Sequence, residues 1–274
     1  MTTWLHGVTV LREARQPGVL VTVTGVRGHA PREAGAKMVV SATATWASIG
    51  GGNLEERAVR RARELIESGP RAPESFVANL TDQTAVEHGV QCCGGEVSVL
   101  LEPLPVVPAV AIFGMGHVGI ELARILARHD LELHLVDSRE PHVTPAALAP
   151  LADAVADVHA HHVPVIPELV LGSLPPGTSI LVLTHDHAED YAIVDAALRC
   201  EHLGSIGLIG SSAKWARFRG RLLAAGLDPE RVDTVRTPIG LPGITTSKHP
   251  AAIAVAVAAA WLSDLQPASR SRRA

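Results

Sequence analysis

The chain has 274 residues, 47% hydrophobic and 19% charged, a balance that allows a sizeable buried core and excludes disorder along most of its length. With 24 basic and 28 acidic residues the formal charge is -4, so no overall basic field exists to hold nucleic acid or an anionic membrane, and neither is expected as a partner. The length suits two domains, because single cores tend to stop growing above roughly 250 residues.

The first elements expected are a short helix over 3–15 and a strand over 18–26, where GVLVTVTGV is rich in β-branched residues. Short strands are expected at 37–42 and 46–49. After Gly50, Gly51 and Gly52, the segment 53–67 places Leu54, Ala58, Ala62 and Leu65 at helical spacing, with Asn53 as a candidate N-cap. EVSVLLE at 96–102 reads as a strand, and PLPVVP at 103–108 as a linker. From Ala109 the rhythm becomes strand, glycine turn, helix, strand, which is a βαβ unit. SILVLT at 179–184 is a further apolar strand, 188–200 a helix that would bury Cys200, and 206–209 a strand leading into a Ser-rich helix start. The expected fold class is α/β: a small N-terminal α+β domain over 1–104, then a Rossmann-like parallel-sheet domain over 105–274, with a disordered basic tail from about 266.

No apolar run reaches the 18 or so residues that a spanning helix needs, and the Ala-rich stretch 251–262 reads as a buried helix. The N-terminus lacks the basic start and apolar block of a secretory signal, so a cytoplasmic location is expected. Three cysteines, two of them adjacent, do not make a disulfide framework.

Gly114, Gly116 and Gly119 fit G-x-G-x-x-G between a strand and a helix, and Asp137 follows at a strand end. Glycines there let a pyrophosphate or other anion approach the helix N-terminus, and Asp137 could accept a bond from a ribose hydroxyl; the alternative is a tight turn needed for packing alone. Ser211 and Lys214 sit at a second strand-to-helix junction suited to a phosphate, or serve as a plain N-cap and a solvated lysine. Within Thr184–Asp190, His185 and His187 could contact a polar ligand or, with Asp186 or Asp190, a metal; capping and loop packing explain them as well. Arg32 and Lys37 lie beside turn glycines, and Gly50, Gly51 and Gly52 precede a helix, so both places could cradle an anion through backbone N–H groups, although ordinary turn chemistry also accounts for them. Cys92 and Cys93, followed by paired glycines, could present a thiolate to a soft metal or to sulfur chemistry, or form a buried pair.

Taken in order, GHAPREAGAKMVV, SIGGGNLEERA, QCCGGEV, FGMGHVG, THDHAED, GLIGSSAKWARFR and PIGLPGITTSKHPAAIAVAVAA resemble the XdhC/CoxI family of xanthine dehydrogenase accessory proteins over about residues 18–262. His29, Val90 and Ala252 depart from the usual pattern. The resemblance implies a maturation factor that binds molybdenum cofactor as cargo and protects it while a cysteine desulfurase supplies the terminal sulfido ligand. It would then hand the cofactor to a xanthine dehydrogenase-type molybdenum hydroxylase. By the same resemblance Gly50 to Gly52, Gly114, Gly116, Gly119 and Lys214 would serve anionic groups, and Cys92 or Cys93 would lie near the molybdenum. No complete catalytic constellation stands out, so a chaperone without turnover of its own is expected. The alternative is an NAD(P)-dependent oxidoreductase using the Rossmann-like domain, with Asp137 favouring NAD. A homodimer is a further expectation.

Overall fold

The computed structural model describes residues 3–69, 72–80, 95–244 and 247–265. The chain divides into two compact units, 1–107 and 108–274.

The first unit contains α1 (Trp4–Glu13), β1 (Gly18–Arg27), β2 (Lys37–Val40), β3 (Thr45–Ala47), α2 (Gly52–Glu67), β4 (Glu74–Asn79) and β5 (Glu96–Leu104). Its five strands form one antiparallel sheet in the order β3-β2-β1-β5-β4. The long pairing of β1 with β5 slips by one residue between Val23 and Gly25, a bulge of the kind that increases local twist. Helix α2 lays Leu54, Ala58, Ala62 and Leu65 on Val19, Val21, Met38 and Val99. Burying Leu54 and Leu65 stabilises this face by roughly 1.5–3 kcal/mol each. The N-cap of α2 is Gly51 and not Asn53, which lies inside the helix, because the three-glycine turn carries the chain into the helix with positive φ at each residue. β5 runs on through Pro103 to Leu104, two residues into the expected linker.

The second unit contains β6 (Ala109–Phe113), α3 (His117–Leu126), β7 (Glu132–Asp137), β8 (Asp157–His162), β9 (Ser179–Val182), α4 (His187–Arg199), β10 (Ile206–Leu208), α5 (Ser212–Ala224), α6 (Pro229–Val232) and α7 (Pro250–Leu265). All five strands are parallel, in the order β10-β9-β6-β7-β8. Every residue of β6 is buried, as expected of a strand with elements on both faces. One face packs under α3 and α7 through Leu122, Leu126, Val257 and Trp261, the other under α4 and α5 through Ile193, Val194, Phe218 and Leu222. Cys200 is half-buried and lies just past the end of α4, as its C-cap, rather than inside the helix. Among the described residues no helix is long and apolar enough to cross a membrane.

Strands β4 and β8 are absent from the sequence-based expectation. Both are edge strands, and ESFVAN and DVHAHH carry polar residues where a central strand would carry apolar ones. The β7–β8 ladder stacks three imidazoles: the His134 ring lies 4.9 Å from that of His159 and 5.4 Å from that of His161. His134 Nδ1 and His161 Nε2 are hydrogen-bonded at 3.1 Å, and His134 Nε2 faces Glu132 Oε1 at 3.0 Å. Burial pushes the proton affinity of His134 below the ordinary imidazole range, against the opposing charge of Glu132. Burial, with the neighbouring His159, does the same to His161.

Two outcomes follow for stability. A Cβ on Gly119 would stand 2.1 Å from the Gly114 carbonyl oxygen, so Gly119→Ala is expected to cost about 1–3 kcal/mol, measured as a lower denaturant midpoint. Because His134 and His161 bind protons less readily when folded, their contribution is present above the ordinary value of 6.5 and is lost as the pH falls through the lowered folded values. The unfolding temperature is therefore expected to decline as the pH drops below about 6.5. That decline should be shallower in His134→Asn.

Candidate functional site

β6 leads to its right through β7 and β8, and the chain then crosses to β9 and β10 on its other side, so strand order reverses between β6 and β9. In open parallel sheets ligands settle outside the carboxyl ends of the strands at such a reversal. Two loops meet there. Gly114, with φ +103°, lies so close to the loop after β9 that a Cβ would stand 2.5 Å from the Leu183 carbonyl oxygen and 2.8 Å from the Thr184 Cα. Gly119 lets α3 descend onto Gly114, as described above.

Gly116 differs from both. Its φ is -72°, which any residue adopts, and a Cβ there would meet nothing within 4 Å. Neither backbone strain nor packing inside the protein requires glycine at this position. The space beyond it is open to a ligand approaching the start of α3, whose first turn has no acidic residue and no side-chain cap. The first N–H groups of a helix lack intrahelical partners and attract anions.

Asp137 ends β7 and is 2% exposed. Its Oδ2 accepts from the Met115 N–H at 2.7 Å and from Arg139 Nη2 at 2.9 Å; its Oδ1 accepts from the Arg139 N–H and Nε, both at 2.9 Å. Burial alone would push this carboxyl up, but the Arg139 side chain and the two backbone donors outweigh it and hold the group below the usual carboxylate range. A carboxylate offers about four acceptor directions, and all are engaged within the chain. Beside it, Ser138 Oγ donates to Glu189 Oε2 at 3.1 Å. Burial raises the Glu189 carboxyl, with the Ser138 bond opposing and the Asp137 charge reinforcing the shift.

Behind the Thr184–Asp190 loop lies a buried ion pair. Asp190, fully buried, accepts from the Thr184 N–H at 3.0 Å, from the Thr184 hydroxyl at 2.7 Å and from Lys214 Nζ. Lys214 is 7% exposed, and its ammonium also donates to the Ile209 carbonyl at 3.0 Å. Lys214 thus ties the end of β10 to α4 and turns its charge inward. Ser211 caps α5 by accepting from the Lys214 N–H at 3.2 Å. His185 and His187 are exposed around Asp186, the N-cap of α4. Among the described residues no three His, Cys, Asp or Glu side chains are grouped so as to hold a metal ion.

In the first unit the three-glycine turn meets an anion of the chain's own. Glu55 Oε2 accepts from the Ser48 hydroxyl at 2.6 Å, the Ile49 N–H at 3.0 Å and the Gly51 N–H at 3.1 Å. Gly50 packs on the Arg32 loop, where its Cβ would stand 2.6 Å from Pro31. Arg32 is exposed, and Lys37 donates to Thr22 Oγ1 at 3.0 Å while lying 5.8 Å above the Trp4 ring. Cys92 and Cys93 lie outside the described residues.

Sequence reasoning missed Arg139, Ser138 and Glu189, and it did not pair Asp190 with Lys214. An Arg two residues after an acid at a strand end was the local signal for the first. For the ion pair, removing one partner is expected to be worse than removing both. Asp190→Ala should cost about 3–5 kcal/mol in chemical denaturation by leaving Lys214 charged and buried. Asp190→Leu combined with Lys214→Met should recover most of that loss.

The XdhC Rossmann domain family matches residues 110–260, and the XdhC and CoxI family matches residues 11–76. The uncharacterised protein YqeB of Escherichia coli K12 is 22% identical over 230 residues, which cover 84% of this chain and 40% of that protein. The chain therefore spans about two fifths of the length of that curated relative. A solved structure described as a xanthine dehydrogenase from Bacillus halodurans aligns over 98% of each chain at 19% identity, with a TM-score of 0.48. With the two family matches covering both its units, the chain belongs to the XdhC and CoxI family.

Proposed function

We propose that this protein binds molybdenum cofactor at the carboxyl edge of its parallel sheet and acts as a carrier for it. It holds the cofactor while a cysteine desulfurase provides the terminal sulfido ligand, then delivers it to a xanthine dehydrogenase-type molybdenum hydroxylase. Family membership supports a xanthine dehydrogenase-related accessory role. The observation that carries the choice of site is Gly116, which is open at the uncapped start of α3 beside the strand-order reversal, where neither its φ nor a close contact within the chain calls for glycine.

A molybdopterin presents a phosphate, a polar bicyclic pterin and a dithiolene-bound metal. The phosphate would meet the N–H groups at the start of α3. Ser138, Glu189, which Ser138 bonds, and the exposed His185 would offer polar contacts to the ring. Lys214 would act from behind, by fixing the Thr184–Asp190 loop through Asp190.

The competing oxidoreductase reading asks Asp137 to accept a ribose hydroxyl, which would have to displace Met115 or Arg139 from a carboxylate whose acceptor directions are engaged. That weighs the balance toward the carrier.

Anaerobic equilibrium binding of molybdenum cofactor, with NAD and NADP titrated in parallel, tests this reading. Wild type is expected to bind the cofactor and neither nicotinamide. Gly116→Ala should weaken binding by about tenfold or more while leaving the denaturation curve unchanged, because the new methyl meets the ligand and nothing else. Absence of binding by folded wild type would overturn the proposal.

A further inference from the structure

Strand β8 ends the parallel sheet, and among the described residues no strand pairs with its outer side. Its inner side is bonded to β7 and its continuation: the Asp157 N–H donates to Leu131 O at 2.9 Å and the Val163 N–H to Asp137 O at 3.2 Å. Odd-numbered residues thus bond inward, and the N–H and C=O groups of Val158, Ala160 and His162 point away from the sheet. The six residues contain no Lys or Pro, two of the devices that keep an edge from pairing with another chain.

We propose that β8 is a self-association edge: two copies of this chain pair their β8 strands antiparallel about a two-fold axis, merging their parallel sheets into one continuous sheet. The occupant is a second copy because the pattern along this edge is complementary to its own reversal. Antiparallel pairing sets odd residues opposite odd residues. On that face the acid, Asp157, stands at the start of the strand and His161 near its end, with Val155 before the strand and Val163 and Val165 after it. An axis beside His159 puts Asp157 opposite His161 of the second copy, and does so twice, because a two-fold contact is isologous. Val155, 61% exposed, then lies opposite Val163 of the second copy and diagonal to its Val165, 83% exposed. On the other face Val158 meets Ala160 of the second copy. A parallel partner would instead face acid with acid.

The inner ladder prepares the surface. His134 holds His161 Nε2 at 3.1 Å and stacks between His159 and His161, so the edge imidazoles are ordered before a partner arrives.

Sedimentation equilibrium of the full chain at micromolar concentration, near neutral pH, is expected to show a dimer. Ala160→Pro removes an outward N–H that the pairing needs, Val165→Asp places a charge where the valines meet, and Asp157→Lys replaces the short acid opposite His161 with a longer side chain. The first two should each raise the dimer dissociation constant by about tenfold or more, with an unchanged far-ultraviolet circular dichroism spectrum. The third should raise it less. If Ala160→Pro perturbs folding, Val165→Asp, at a largely solvated side chain, carries the test. A monomeric wild type, or a dimer that Val165→Asp leaves intact, would overturn the proposal.

Discussion

The contact on which the carboxyl edge of the parallel sheet depends is the close passage of the Gly114 backbone past Leu183 and Thr184. Main chain meets main chain there, with no room for a side-chain carbon, and the ends of β6 and β9 are drawn together where strand order reverses. Gly119 extends the same logic by seating α3 on the Gly114 carbonyl. These two glycines make the platform, and the third, Gly116, leaves space above it. The different surroundings of three glycines in one motif separate what the fold requires from what a ligand would use.

Around that platform the chain satisfies nearly every charge it takes out of water. Asp190 is wholly buried but has the Thr184 backbone, the Thr184 hydroxyl and Lys214 as donors, and Asp137 is surrounded by Met115 and Arg139. A buried ion pair is costly to break and weak as net stabilisation, so its value here is positional. It fixes the ends of β9 and β10 and the start of α4 in one arrangement. The helix starts follow the same economy: α2 is served by Glu55, α4 by Asp186 and α5 by Ser211, while α3 keeps its donors without a side-chain cap.

The far side of the sheet is built differently. On the face of the sheet opposite Leu133, Leu135 and α3, β7 and β8 present His134, His159, His161 and Glu132 along one column. Imidazole stacking replaces aliphatic packing at this margin, which suits a surface that is partly wet. The solvated valines next to it, Val155 and Val165, complete an edge that differs from the glycine-lined carboxyl edge in both composition and placement.

Local chemistry alone made much of the protein legible. Alternating or continuous apolar runs marked β1, β5, β6, β7 and β9, helical spacing marked α2, and the glycine spacing after β6 marked the loop whose shape depends on φ and on the lack of a Cβ. Seven ordered motifs carried the family, because their order is a property of the chain itself. Tertiary structure decided the rest. β4 and β8 are strands because neighbours offer them hydrogen bonds, not because their own sequences are apolar. Lys214 and Asp190 stand 24 residues apart and become partners only when the helices that carry them pack on one sheet face. Glu55 fills the glycine turn because the first turn of α2 folds back on residues 48–51. Spacing in sequence reports which side chains share an element; which charges cancel, and which donors remain for a ligand, is settled by distances between elements that no local pattern encodes.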